Sequence, residues 1–218
     1  MKRTLVFMAA ALSLGACATD PVTGEGIWGR TATGAGIGAI VGGIGGVFAG
    51  GNDGRNAAYG AAIGALTGAA IGRYMDGQEE DMRRKIAASG IGIQRVGDRI
   101  ELVMPSDVTF TKGSATLDPS FMPVLDKVAE SLNLYPKTTI DIVGYASTEG
   151  DEDSNRQLSF RRAESVRVYL EGRGVVGQRI ATGGAGEDRA GLVVYPDDTE
   201  EKRAKNRRVT VTLRPITG

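Results

Sequence analysis

The chain has 218 residues, with 26 basic and 26 acidic side chains and 41% hydrophobic positions, enough for one good-sized core plus an appendage. Balanced charge offers no clustered basic face for nucleic acid. Histidine is absent and cysteine occurs once, which excludes the commonest general base and metal ligand, internal disulfides and CxxC redox chemistry, so no metal or cofactor is expected.

Residues 1–16 read as an export signal: Lys2 and Arg3 form the positive start, Leu5 to Leu14 the apolar core, and Leu14-Gly15-Ala16 a small-residue cleavage region. The apolar run is too short to span a bilayer, which takes about 20 residues. Its removal takes Lys2 and Arg3 away (26 − 2 = 24), leaving 24 basic against 26 acidic residues. Leu14-Gly15-Ala16-Cys17 resembles the lipobox of bacterial lipoproteins. The resemblance implies that Cys17 becomes the first mature residue and carries acyl chains, palmitate among them. By the same resemblance Ala18, where an Asp would signal inner-membrane retention, implies an outer-membrane lipoprotein facing the periplasm. The competing reading is a plain secretory signal with a chance cysteine. Acyl chains contribute about 0.8 kcal/mol per buried CH₂, so several on one residue hold a protein firmly.

Residues 17–30 are polar and rich in Gly, Pro and Thr, and read as a tether. Over residues 31–75 glycine then recurs at every fourth position: Gly34, Gly38, Gly42, Gly46 and Gly50, and again Gly60, Gly64, Gly68 and Gly72. Alanines keep the spacing at Ala57, Ala61, Ala65 and Ala69, and Gly51-Asn52-Asp53-Gly54 between the runs is a turn signal. The pattern predicts a helical hairpin. Glycine costs a helix about 1 kcal/mol relative to alanine, so such helices need close packing of their small-residue faces. The segment resembles the glycine-zipper domains of bacterial envelope lipoproteins. Three readings stay open: a hairpin in or on the membrane, a zipper that assembles a homo-oligomer, and a flexible spacer. Residues 76–90, with Glu79-Glu80-Asp81 ahead of Arg83-Arg84-Lys85, read as a charged, solvated helical connector.

Residues 91–218 read as a globular domain. Ile91 to Val96, Gly97-Asp98 and Arg99 to Met104 predict a β-hairpin, with Ile100, Leu102 and Met104 on one face. Asp118-Pro119 predicts a helix start, followed by Phe121, Leu125, Val128 and Leu132 on one stripe and an end near Pro136. Thr138 to Val143 reads as a strand, Asn155 to Gly172 as a second helix, and Arg179 to Thr182 and Arg207 to Leu213 as strands. This order predicts an α+β two-layer sandwich of βαβαβ type, with helices on one face of a small mixed sheet.

On the second helix Leu158, Ala163, Val166, Tyr169 and Leu170 form an apolar stripe, and Arg162 falls inside it. A guanidinium there either snorkels to water or serves as a fork for an anion such as a carboxylate.

Ile142-Val143-Gly144-Tyr145, Gly150, Asn155, Leu158-Ser159 and Arg161-Arg162-Ala163 resemble the signature of OmpA-like peptidoglycan-binding domains. Phe110, Leu117-Asp118-Pro119, Gly186-Glu187 and Asn206-Arg207-Arg208-Val209 agree in order and spacing. The resemblance covers residues 91 to 215. It implies non-covalent binding of the diaminopimelate-containing stem peptide of peptidoglycan. Arg162 would take a ligand carboxylate, Asn155 and Arg207 would add polar contacts, and Leu158 would support the pocket. Ser147 stands where the family has an Asp that pairs with the ligand's ammonium. Losing that charge-assisted partner costs about 1.5–3 kcal/mol. The loop acids Glu149, Asp151, Glu152 and Asp153 are the candidates to replace it.

The expected function is a non-enzymatic outer-membrane lipoprotein that tethers the membrane to peptidoglycan. The alternative is an oligomerising or membrane-inserted glycine-zipper envelope protein whose domain has altered wall binding. A wall hydrolase is disfavoured because Asp141, Glu149 and Asp153 lack a placed acid/base pair. A porin is disfavoured because no series of alternating ten-residue strands precedes the domain.

Overall fold

A computed structural model describes residue 66, residues 68–188 and residues 191–217. The export signal, Cys17, the tether and the zipper hairpin up to residue 65 lie outside the described residues. Among the described residues, no helix is long and apolar enough to cross a membrane.

The first described helix, α1, spans Ala69–Lys85 and crosses the boundary that the sequence placed between zipper and connector. It is not a solvated connector. Met75, Gln78, Asp81 and Met82 are buried along one side, and Ile86 follows them into the core. Ahead of the helix, Leu66 donates its amide to Ile216 O at 2.9 Å, pinning the chain beside the end of the last strand. The physical reason is the long step between the apolar contacts. Met75 and Met82 are seven residues apart, two turns on one face, and the charges between them point elsewhere.

Strands β1 (Gly92–Val96) and β2 (Arg99–Pro105) form the predicted hairpin, with Val96 opposite Arg99 and Gly97 at φ 59° in the turn. A single helical turn, α2 (Ser106–Thr109), follows. Helix α3 runs Met122–Leu134. Asp118 caps the preceding turn, accepting from Ser120 N (2.8 Å) and Ser120 Oγ (2.6 Å), and Pro123 is the first-turn proline of the helix proper. Strand β3 (Thr138–Tyr145) leads into α4 (Glu152–Gly172), which starts three residues earlier than predicted because Asp151 caps it by accepting from Ser154 N at 2.9 Å. A 3₁₀ turn (Gly177–Arg179) precedes β4 (Ile180–Gly186). Helix α5 (Glu200–Asn206), unforeseen because Glu200-Glu201-Lys202-Arg203 carries no apolar stripe, precedes β5 (Arg208–Pro215).

The five strands form one mixed sheet in the order β1-β2-β5-β3-β4, antiparallel except for the parallel β3–β4 pair. Parallel neighbours need a crossover, and α4 supplies it. Ile100, Leu102 and Met104, Ile140 and Ile142, and Val209, Val211 and Leu213 alternate onto the covered face. Leu125 and Val128 of α3, Val166 and Leu170 of α4, and Met75 and Met82 of α1 close the core over them. The predicted two-layer α+β sandwich is the observed fold.

Two glycines set α4 against the sheet. A Cβ on Gly144 would lie 2.0 Å from Ser159 O, and one on Gly184 would lie 2.6 Å from Phe160 N. Ser159 Oγ completes the seat, donating to Arg156 O (2.9 Å) and accepting from Gly186 N (3.0 Å). The helix backbone thus rests directly on the ends of β3 and β4, which fixes everything its inner face presents.

Candidate functional site

The C-terminal ends of β3 and β4, the first half of α4 and the α2 turn meet at one end of the sheet. Ligands favour the carboxyl ends of parallel strands. The connections after β3 and β4 are held together there. Asn206 at the end of α5 organises the second loop. Its Oδ1 accepts from Val193 N (2.9 Å) and Val194 N (3.1 Å), and its Nδ2 donates to Val194 O (2.9 Å) and to Asp197 Oδ2 (3.0 Å). Asp197 is buried. It accepts from Thr148 N at 3.0 Å and from Thr148 Oγ1, joining the second loop to the first. Burial pushes its carboxyl up, but the bonds from Thr148 and Asn206 outweigh that and hold it below the usual carboxylate range.

Arg162 lies on the inner stripe of α4 and is 5% exposed, so it does not snorkel into open water. Its Nε donates to Ser114 O at 2.9 Å, and its guanidinium carbon stands 5.3 Å from the centre of the Phe110 ring. Both terminal nitrogens lack a hydrogen-bond partner, and no carboxylate lies within ion-pair distance, among the described residues. Burial lowers its pKa; Asp107 nearby opposes this and Arg207 adds to it. A guanidinium this enclosed, with two donor groups that no described residue uses and that are not sealed from water, can take an anion bidentately.

Asn155, two turns earlier on the same face, directs Nδ2 toward Ser147 O (3.3 Å), Glu149 O (3.0 Å) and Glu187 Oε2 (2.8 Å). All three are acceptors, which fixes the orientation of the amide. Ser147 is 4% exposed, and its hydroxyl has no hydrogen-bond partner among the described residues. Leu158 is half-buried on the α4 stripe. Arg207 is held by Asp107 (Nη2 to Oδ2, 3.2 Å) and by Glu200, so its charge is largely spent within the protein. Burial lowers its pKa, but the two acids outweigh that and raise it overall.

The structure therefore brings Arg162, Asn155 and Ser147 to one end of the sheet and pairs Arg207 with Asp107 and Glu200. The loop acids are mostly committed elsewhere. Glu149 pairs with Arg203 (3.2 Å), Asp151 caps α4, and Glu152 pairs with Arg156 (3.2 Å). Sequence reasoning did not assign roles to Asp107, Ser114, Glu187 or Asp197; their contacts cross 32 to 100 positions, beyond any local pattern. Among the described residues, no group of Cys, Asp and Glu is arranged to hold a metal ion.

Residues 109–207 match the OmpA family, and residues 1–76 match the YMGG-like Gly-zipper. The "Peptidoglycan-binding protein ArfA" of Mycobacterium tuberculosis is 37% identical over 114 residues, 52% of this chain but 34% of that protein. The structure resembles the cell wall anchor of the T6SS from Pseudomonas aeruginosa with a TM-score of 0.55, at 25% identity over 63% of this chain and 99% of that one. The probable lipoprotein YiaD of Escherichia coli K12 is 42% identical over 222 residues, 99% of this chain and 100% of that protein. At that identity and coverage the chain belongs to the family of YiaD, with a YMGG-like Gly-zipper segment leading into an OmpA family domain.

Proposed function

We propose that this chain is an outer-membrane lipoprotein, anchored through acylated Cys17 and facing the periplasm, that tethers the membrane to peptidoglycan. Its OmpA-like domain binds the diaminopimelate-containing stem peptide without covalent chemistry. The observation that carries this reading is Arg162, buried with two unused donor groups and no counter-ion among the described residues. A ligand carboxylate fits that fork bidentately. The names of ArfA and of the Pseudomonas aeruginosa cell wall anchor support the class of partner. Asn155 and Ser147 border the ligand, Leu158 supports the pocket, and Arg207 steadies the rim through Asp107.

The test is co-sedimentation of the full-length acylated protein, in detergent, with insoluble peptidoglycan. The wild type pellets with the wall and Arg162→Ala stays in the supernatant. Equal behaviour of the two, or no pelleting by either, sinks the wall-binding reading. Mass spectrometry of the purified chain tests the anchor: a mature N-terminus at residue 18, or an unmodified Cys17, removes it.

A further inference from the structure

The replacement of a carboxylate by Ser147 leaves open what balances a cationic group on the ligand, and the geometry points to Glu187. We infer that Glu187, Asn155 and Ser147 form a subsite for a primary ammonium, with Glu187 supplying the charge. The inference rests on the wall-binding reading above and assigns the second half of the same site.

Three observations carry it. The Asn155 amide nitrogen is shared by Ser147 O (3.3 Å) and Glu187 Oε2 (2.8 Å), which places the Glu187 carboxylate beside Ser147 although it comes from the other loop. With Nδ2 so occupied, Asn155 Oδ1 has no partner among the described residues, and neither has the hydroxyl of Ser147, in a residue 4% exposed. Glu187 has no cationic partner among the described residues, unlike Glu149 and Glu152. Three oxygen acceptors, with one negative charge that no cation among the described residues pairs, suit an –NH₃⁺ group, which has three donors and no acceptor.

The position matches the fork at Arg162. Asn155 and Arg162 are seven residues apart on one face of α4, about 10 Å along the axis, and a helical side chain leans toward the N-terminus. Arg162 therefore reaches back toward the Asn155 end. A zwitterionic ligand set between them meets the Arg162 guanidinium and the Glu187 carboxylate together. The positive end of the α4 dipole, about half a charge, opposes a bound cation, but the capping carboxylate of Asp151 and the neighbouring Asp153 offset it.

The experiment measures binding of the full-length protein to a synthetic diaminopimelate-containing stem peptide, and to the same peptide acetylated on its free side-chain amine. The wild type prefers the free amine by tenfold or more, on the order of one charge-assisted hydrogen bond. Glu187→Gln still accepts from Asn155 and keeps the wild-type melting temperature, yet binds both peptides with the affinity of the acetylated one. Ser147→Ala loses about threefold of the preference, as suits a neutral hydrogen bond. A wild type that binds both peptides equally, or a Glu187→Gln variant that keeps the full preference, overturns the ammonium subsite alone. A wild type that binds neither peptide overturns the wall-binding reading, and this inference with it.

Discussion

The two ends of the β3–β4 pair each bury an arginine, and the two differ in how fully the fold satisfies them. At the N-terminal end, Arg179 is 2% exposed and donates Nε to Thr138 O (2.8 Å), Nη1 to Leu132 O (2.8 Å), and Nη2 to Tyr135 O (2.9 Å) and Thr138 Oγ1 (3.0 Å). It closes the carbonyl end of α3, where a helix favours positive charge. Helix α1 joins the same end. Gln78 Nε2 reaches Thr138 Oγ1 (3.4 Å), Tyr74 Oη accepts from Lys137 N (2.8 Å), and the Tyr74 and Tyr135 rings meet edge to face at 5.3 Å. At the C-terminal end, Arg162 makes one hydrogen bond and rests on Phe110. Burial alone does not separate the two arginines. The donors that Arg162 leaves unused among the described residues do.

The largest test of this contrast removes α1. A fragment starting at residue 91 exposes Met75, Met82 and Ile86 contacts, each buried side chain being worth about 1.5–3 kcal/mol. The sum rivals the whole stability of a domain. Residues 66–218 should melt cooperatively by circular dichroism, whereas residues 91–218 should be largely unfolded at 37 °C.

Next in size is Arg179→Met. It orphans the buried carbonyls of Leu132, Tyr135 and Thr138 and should cost about 3–5 kcal/mol, or roughly 10 °C in melting temperature. The matched change Arg162→Met should move stability by less than about 1 kcal/mol, because it replaces a charge with no ion-pair partner among the described residues by an apolar chain of similar length, while abolishing co-sedimentation with peptidoglycan. If both variants lose the same stability, the two ends do not differ and the contrast is wrong.

The smallest effect concerns pH at the α1 end. Asp81, 3% exposed, faces Arg84 (2.7 Å) and Lys85 (3.2 Å). Burial pushes its carboxyl up, but Ser131, Lys85 and Arg84 together hold it below the ordinary value. A carboxyl depressed on folding adds stability above its unfolded pKa, about 3.9, and loses it as pH falls through the folded value. Asp81→Asn should therefore lower the melting temperature by about 2–4 °C at pH 7, a salt bridge's worth, with the gap closing between pH 4 and pH 2. A gap that persists at pH 2 assigns Asp81 no ionic role.

Much of the fold was legible. Alternation of Ile100, Leu102 and Met104 around Gly97-Asp98 specified the hairpin, and the α4 stripe placed Arg162 on the buried side, because both signals act between residues one or two turns apart. The signature residues of the family lay in the sequence as well, and so did the exceptional Ser147. Tertiary structure decided the rest. A charged helix with two buried methionines reads as solvated until α3 and β2 are present to receive it. Whether Arg162 is satisfied depends on Ser114 and Phe110, some fifty positions away, and the Asn155 amide links Ser147 O to Glu187, on another strand's end. Periodicity reports which face a residue takes. Only chain folding determines which distant charges that face meets.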